Sequence, residues 1–403
     1  MFLIILFYNI LFVIHSKYII SFYKKYKNNL NNNNFDFIDY LYNNSNYFNL
    51  SIGNPKQNLN CNLVFENSFF YISEDYFNYK LSNTYKINDK ENIIYLFSTQ
   101  YFMNGIDSIE LINLNNTSKE NLSFILVNKK GLNKDLNIKN CNFGLQLGDN
   151  EYNIIMQLKE KNISNSNIFS FNYHENEENG YLLIDKINKN EKNMNIIQTS
   201  SKWNINFDNI QIDNYYNLSK IFEVELSIEF NGILGTNEYL KNINKTFFNK
   251  NNKCLYNKNN VYNYFYYVCE KNINLKLFPK LIFYLKNINY KFEFSYNELF
   301  KEINNKYYFL IIFHSNFLIK KWIFGEIFLK KYKLFFDYDN KIILFDKKNN
   351  KNKIKFKLTY LIIIILSCII LILLKFIIKL LLKHRKIKAY ELEENYDYNF
   401  KKI

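Results

Sequence analysis

Between Asp36 and Asp346 the apolar positions fall in short runs of about 4–8 residues, rich in Ile, Phe and Tyr. Asn92–Phe97, Leu122–Val127, Lys280–Tyr284 and Lys333–Asp337 are examples, and Asn, Asp, Lys or Gly mostly bound them. Runs of that length, with β-branched and aromatic side chains between polar breaks, predict β-strands. Helical spacing is scarce: only Tyr152–Glu160 and Asn237–Phe248 suggest amphipathic helices. No short repeat is visible, and the pattern predicts an all-β body.

Two segments break this texture. Met1–His15, MFLIILFYNILFVIH, is an apolar stretch followed by Ser16-Lys17, the form of a secretory signal peptide over residues 1–17. Its lack of a basic start also allows an uncleaved anchor. Leu358–Leu374, LTYLIIIILSCIILILL, carries no charge, and with Lys375 and Lys379 able to snorkel it predicts a transmembrane helix over 358–382. Six Lys precede that segment and six Lys or Arg follow it from Lys375 to Lys388, so flanking charge does not orient it. The signal segment does: the body is expected in a lumen or outside the cell, with residues 383–403 as a cytosolic tail. The expected localisation is a secretory-pathway or cell-surface membrane, as a type I single-pass protein.

Composition changes the picture in one respect. The 403 residues include 9 Gly and 2 Pro, where average usage gives roughly 28 and 20. Ala389 is the one alanine, and Tyr 35 and Phe 39 bring aromatics to 19%. Codon drift toward AT-rich triplets accounts for the skew, and it degrades glycine motifs. The net charge of +15 comes from Lys scattered along the chain, with Arg385 the one arginine, so nucleic-acid binding is not expected. Cys61, Cys141, Cys254, Cys269 and Cys368 show no zinc spacing, and His15, His174, His314 and His384 lie far apart. No metal and no cofactor is expected. A lumenal body permits disulfides. Sequons at Asn43, Asn49, Asn115, Asn121, Asn162, Asn217 and Asn244 are expected by chance in so Asn-rich a chain.

Several landmarks follow one another in order. They are Tyr47–Gln57 (YFNLSIGNPKQ), Cys141–Gly148 (CNFGLQLG), Asn153–Phe171 ending in FSF, Asn179–Asp185 (NGYLLID) and Lys202–Ile212 (KWNINFDNIQI). Phe278–Phe283 (FPKLIF) and Lys321–Asp346 (KWIFGEIFLKKYKLFFDYDNKIILFD) complete the series. Together they resemble the pepsin-like (A1) aspartic proteases, the plasmepsins among them, over about 300 residues. In the last segment Gly325, Glu326, Phe328, Tyr332, Phe336, Asp337 and Asn340 all fall in register. The resemblance implies a bilobal all-β fold and this division: signal 1–17, Asn-rich pre-domain segment 18–45, N-terminal lobe 46–195 and C-terminal lobe 196–347. A basic stem (348–357), the transmembrane helix and the tail follow. It also implies a Cys254–Cys269 bridge. Cys61 and Cys141, on strands that neighbour each other in the family, suggest a second bridge that is not the family's usual one.

Chemistry in this family needs two carboxylates that share a proton and activate a water, each in an Asp-Thr/Ser-Gly turn. Counting from Ile52 without a gap puts the first Asp position on Val64, with Tyr71 at the usual Trp. Matching Gly232 to the second turn glycine puts Phe230 at the second, whereas sliding the match to Gly235 puts Ile233 there. Glu66 and Glu229 are the nearest carboxylates and read as solvated strand-edge side chains, Glu229 turned away from the cleft. Tyr95, Tyr101 and Gly105 are the remaining candidates for the flap, and residues 18–45 are short for a self-inhibiting segment. A catalytically inactive homologue whose cleft binds an extended peptide is the leading expectation. An active endopeptidase with shifted carboxylates and an adhesive surface protein are the alternatives. Oligomeric state is left open.

Overall fold

The computed structural model describes residues 18–24, 36–42, 45–87, 102–112, 117–127, 141–174, 179–184, 194–200, 202–213, 216–248, 253–259, 261–316 and 320–346, with scattered positions within 367–379. The first strands are β1 (Tyr18–Lys24), β2 (Asn46–Ile52), β3 (Gln57–Val64), β4 (Phe70–Ser73), β5 (Lys86–Ile87), β6 (Phe102–Ile112) and β7 (Thr117–Val127). Then come β8 (Cys141–Gly144), β9 (Ile168–Tyr173), β10 (Gly180–Ile184), β11 (Met194–Gln198), β12 (Asn204–Ile212), β13 (Tyr216–Leu226) and β14 (Ile233–Gly235). β15 (Cys254–Asn259), β16 (Tyr264–Glu270), β17 (Leu281–Leu285), β18 (Tyr290–Phe294), β19 (Phe300–Ile303) and β20 (Lys306–Phe309) follow. The last are β21 (Ile311–His314), β22 (Trp322–Phe324), β23 (Leu334–Asp337) and β24 (Ile342–Asp346).

Among the described residues these form a 13-stranded sheet, ordered β11-β24-β23-β9-β10-β1-β2-β3-β8-β4-β7-β6-β5. An 11-stranded sheet runs β18-β17-β12-β13-β22-β14-β21-β16-β20-β19, with β15 paired to β16. The fold is mostly β with two sheets, consistent with a bilobal pepsin-like body. The larger sheet crosses the expected 195/196 boundary, because β23 and β24 return to pair with β9 and β11. It also takes in β1, which lies between β10 and β2. Residues 18–24, expected ahead of the domain, are thus an inner strand of it. Their alternation explains this: Ile20 and Phe22 face the core, and Ser21 faces solvent.

Alternation also explains β12, whose Ile205 and Phe207 point inward, as do Ile210 and Ile212 beyond a bulge at Phe207/Asn209 that shifts the parity. The expected strands at 122–127, 280–284 and 333–337 correspond to β7, β17 and β23. Asn92–Phe97 lies outside the described residues. Helix α1 spans Phe37–Tyr42, α2 Ile154–Glu160, α3 Asn237–Ile243, α4 Tyr296–Leu299 and α5 Glu326–Lys331. α2 begins where Asn153 Oδ1 accepts from the amides of Ile155 and Met156 at 3.1 and 3.3 Å. α3 runs on into a π turn over Asn244–Phe248, so both expected helices are present.

Rings fill the core in place of the small residues the composition lacks. Phe169 stacks on Phe336 at 4.8 Å, and Trp203 meets both edge-on at 5.9 and 5.1 Å. Two disulfides lie in the sheets. Cys61–Cys141 joins β3 to β8 with a Cα separation of 4.4 Å, and Cys254–Cys269 joins β15 to β16 at 3.9 Å. Both suggested pairs are therefore present.

Residues 347–403 form a separate compact unit. Its described residues between Ser367 and Lys379 are helical, with Ile370, Leu371, Leu373, Leu374, Ile377 and Ile378 exposed. Among the described residues no helix is long and apolar enough to cross a membrane. Most of 358–382, and all of 1–17, lie outside them.

Candidate active site

The first turn follows β3. Val64 ends that strand in parallel register with Gly144 of β8, and the Leu145 amide donates to the Val64 carbonyl at 2.8 Å. The chain turns through Phe65–Phe69 and leaves along β4, which pairs antiparallel with β8. Gln146 holds the turn: its Nε2 donates to the Phe65 carbonyl at 2.7 Å, and its Oε1 accepts from the Trp203 amide at 2.9 Å. Trp203 Nε1 donates to the Leu145 carbonyl, so a buried indole braces this end of β8. Val64 and Phe65 are buried, and Glu66 is exposed. Tyr71, at the expected Trp position, accepts a hydrogen bond from Asn142 through its hydroxyl.

The second turn repeats this plan. β13 enters parallel to β22, and β14 leaves antiparallel to it while running parallel to β21. In the first lobe β3, β8, β4 and β7 do the same. This duplication is visible only in the hydrogen bonds. Two glycines let the backbones approach: a Cβ on Gly325 would fall on the Phe230 carbonyl oxygen, and one on Gly232 on that of Leu310.

The duplication also gives a register for the leaving strands. The Gln146 amide donates to the Asn67 carbonyl as the Gly325 amide does to that of Gly232. The Gly144 amide donates to the Phe69 carbonyl, and Ile323 pairs likewise with Leu234. Asn67 thus matches Gly232 and Phe69 matches Leu234. Counting back from the leaving strand sets Val64 opposite Glu229. Phe230, placed there by the glycine match, is one residue further on and corresponds to Phe65. The entering strands do not share that count. Val64 pairs with Gly144 as Glu225 pairs with Ile323, so the second connection is longer.

Glu229 is not a solvated edge residue. Its Oε1 accepts from the amides of Phe65 and Glu66, the latter at 3.3 Å, and its Oε2 accepts from Ser227 Oγ at 2.8 Å. One carboxyl thus spans both turns. Burial pushes its pKa from 4.5 up to about 7, the nearby Glu66 charge pushes the same way, and the hydrogen bonds from Ser227 and Phe65 oppose them. Burial also raises the Tyr173 phenol far above its usual value, helped by the charges of Glu326 and Glu229.

The N-terminal segment completes the surroundings. Lys24 Nζ, at the end of β1, donates to Asn231 Oδ1 at 2.8 Å and pairs with Glu326, both charged side chains being 3% exposed. α1 lies over the second turn. The Asn231 amide donates to the Leu41 carbonyl and its Nδ2 to the Tyr40 carbonyl, each at 3.0 Å. Phe37, Ile38 and Leu41 form a buried cluster with Phe230, Leu234, Leu310 and Ile312. Alternate spacing in YIISFYK and the i, i+1, i+4 apolar positions of Phe37–Leu41 were the signals available for this segment. Of the flap candidates, Gly105 lies on β6 opposite Phe124, and Tyr95 and Tyr101 fall outside the described residues. Among the described residues no three His, Cys, Asp or Glu side chains gather as metal ligands.

The model of the eukaryotic aspartyl protease family matches residues 47–348. The chain belongs to that family. No curated protein matches it. The family is one of aspartic endopeptidases, and a pepsin-like domain closed by disulfides belongs to the secretory pathway or the extracellular side. The match begins at Tyr47, so β1 and α1 precede the family's span.

Proposed function

We propose that this protein is a membrane-anchored, non-catalytic member of the aspartyl protease family, a pseudoprotease whose cleft holds a peptide segment without cutting it. Val64 carries the proposal. It ends the strand that enters the first turn with a buried apolar side chain, and counting from Ile52 without a gap puts the family's first Asp position on it. Glu229 supplies one carboxyl at the second turn, but a single group does not form the proton-sharing pair that activates water. It is also committed to three hydrogen bonds. Anchoring is supported by the uncharged Leu358–Leu374 stretch and by the exposed apolar side chains between Ile370 and Ile378. A type I orientation follows from the apolar Met1–His15 segment.

A second reading, an active endopeptidase using Glu66 and Glu229, draws support from the Glu66 charge acting on the Glu229 carboxyl. Cleavage of an unstructured peptide library by the full chain in detergent, from pH 4 to 7 with and without pepstatin, separates the two. No pepstatin-sensitive cleavage is expected. Cleavage that pepstatin blocks, and that Glu66→Gln or Glu229→Gln abolishes, would overturn the pseudoprotease reading.

A further inference from the structure

We infer that residues 18–24 and 36–42 are a permanent part of the site, the chain's own ligand for the second-turn face, and not a leader removed at maturation. Three contacts converge on this. First, β1 is bonded along both edges, from Tyr18↔Ile184 to Phe22↔Gly180 on one side and at Tyr23↔Tyr47 and Lys24↔Asn46 on the other. Removing it leaves β10 and β2 with open edges inside a sheet and uncovers the space filled by Ile20 and Phe22.

Second, Lys24 is the buried cation beside Glu326, whose next cation, Lys330, is 3.7 Å away at a more exposed position. Taking Lys24 away leaves a carboxylate in the interior without its close partner, and such groups are strongly destabilising. Third, Asn231 commits its amide, its Nδ2 and its Oδ1 to Leu41, Tyr40 and Lys24, all within this segment.

The covered face defines what fits it. Phe37 stacks on Tyr308 at 4.7 Å and Tyr42 on Tyr264 at 5.7 Å, while Asp36 and Asp39 accept from Asn259 Nδ2 and Tyr262 Oη, each at 3.3 Å. The matching ligand is a short helix with an aromatic-aliphatic pair, a leucine one turn on, and acidic flanks. Residues 36–42 have that form. An extended peptide crossing the second turn has to displace α1, so the peptide-binding share of the cleft lies on the first-lobe side. The inference rests on the pseudoprotease reading only in treating the second turn as part of the cleft.

The test uses the full chain, made in a eukaryotic secretory cell and held in detergent, with a site-specific protease sequence inserted between Tyr42 and Ser45. After cutting, size exclusion and mass spectrometry follow the fragment that ends at Tyr42. It is expected to co-elute one to one with the body, or to leave only as the body unfolds. A fragment that departs while the body stays folded at an unchanged Tm overturns the inference. Lys24→Met in the uncut chain is expected to lower Tm by about 5 °C or more, and an unchanged Tm counts against the buried cation. N-terminal sequencing of the unmodified protein is independent of the insertion. A first residue at or before Tyr18 is expected, and one beyond Tyr42 overturns the inference. None of these readouts depends on proteolytic activity of the chain itself, so failure here is distinct from failure of the pseudoprotease reading.

Discussion

Glu229→Gln isolates the carboxyl that spans the two turns. In the native protein this group holds its proton up to about pH 7, whereas in the unfolded chain it releases it near 4.5. Between those values the native state binds more protons than the unfolded state, so stability falls as pH rises through the window. At 1.36 kcal/mol per pKa unit the loss from this group reaches about 3 kcal/mol by pH 7.5. Glutamine keeps the shape. Its Oε1 can still accept from the Phe65 and Glu66 amides, and its Nε2 can donate to Ser227 Oγ. Urea titrations of wild type and variant at half-unit steps from pH 4 to 8 give the difference curve, in which titrating groups that do not act on Glu229 cancel. The two proteins are expected to agree within about 1 kcal/mol below pH 4.5, with the variant about 3 kcal/mol more stable above pH 7. A difference independent of pH, or a variant less stable at pH 8, would refute the half-buried, turn-spanning placement of this carboxyl.

Other perturbations probe the framework. Cys61→Ala with Cys141→Ala opens a bridge of sequence separation 80, which costs about 4–5 kcal/mol on loop-closure grounds, read as a lower urea midpoint under non-reducing conditions. Gly325→Ala drives a methyl into the Phe230 carbonyl; a loss of about 3 kcal/mol is expected, and a neutral result would show that the two turns are not packed as described. Trp203→Phe removes the indole donor to the Leu145 carbonyl. About 1–2 kcal/mol should be lost, with the near-ultraviolet spectrum reporting whether the first turn loosens.

Strands and helices were legible because alternation and helical spacing survive a skewed composition. Ile205 and Phe207 announced β12, although nothing announced the bulge that lets Asn209 and Ile210 follow. The disulfides were legible from the order of landmarks, and the fold with them. The turn register was not. The second connection carries extra residues whose position cannot be counted along the chain, so counting from Ile52 and matching Gly232 lead to Val64 and Phe230, which the hydrogen bonds set one residue out of step. The amide donors of Gln146 and Gly325 set Glu229 opposite Val64 on the leaving-strand count. The role of Lys24 was hidden for another reason. Lysine is the default polar residue here, so the one that is 3% exposed beside Glu326 looks like all the rest.

The placement of β1 sets the order in which this protein can assemble. Cys254–Cys269 closes over a separation of 15 and needs only a hairpin, and Cys61–Cys141 needs β3 beside β8. The larger sheet cannot be completed until β24 ends at Asp346, because β11 waits for β24 and Lys24 waits for Glu326, 302 residues away. Until then β1, the first described strand synthesised, sits in a growing chain without its distant ion partner, and the edge of β9 that meets β23 is open. Such long-range closure slows folding and exposes strand edges to other chains. Completion of the larger sheet is therefore tied to how long those edges stay open before Asp346 is available.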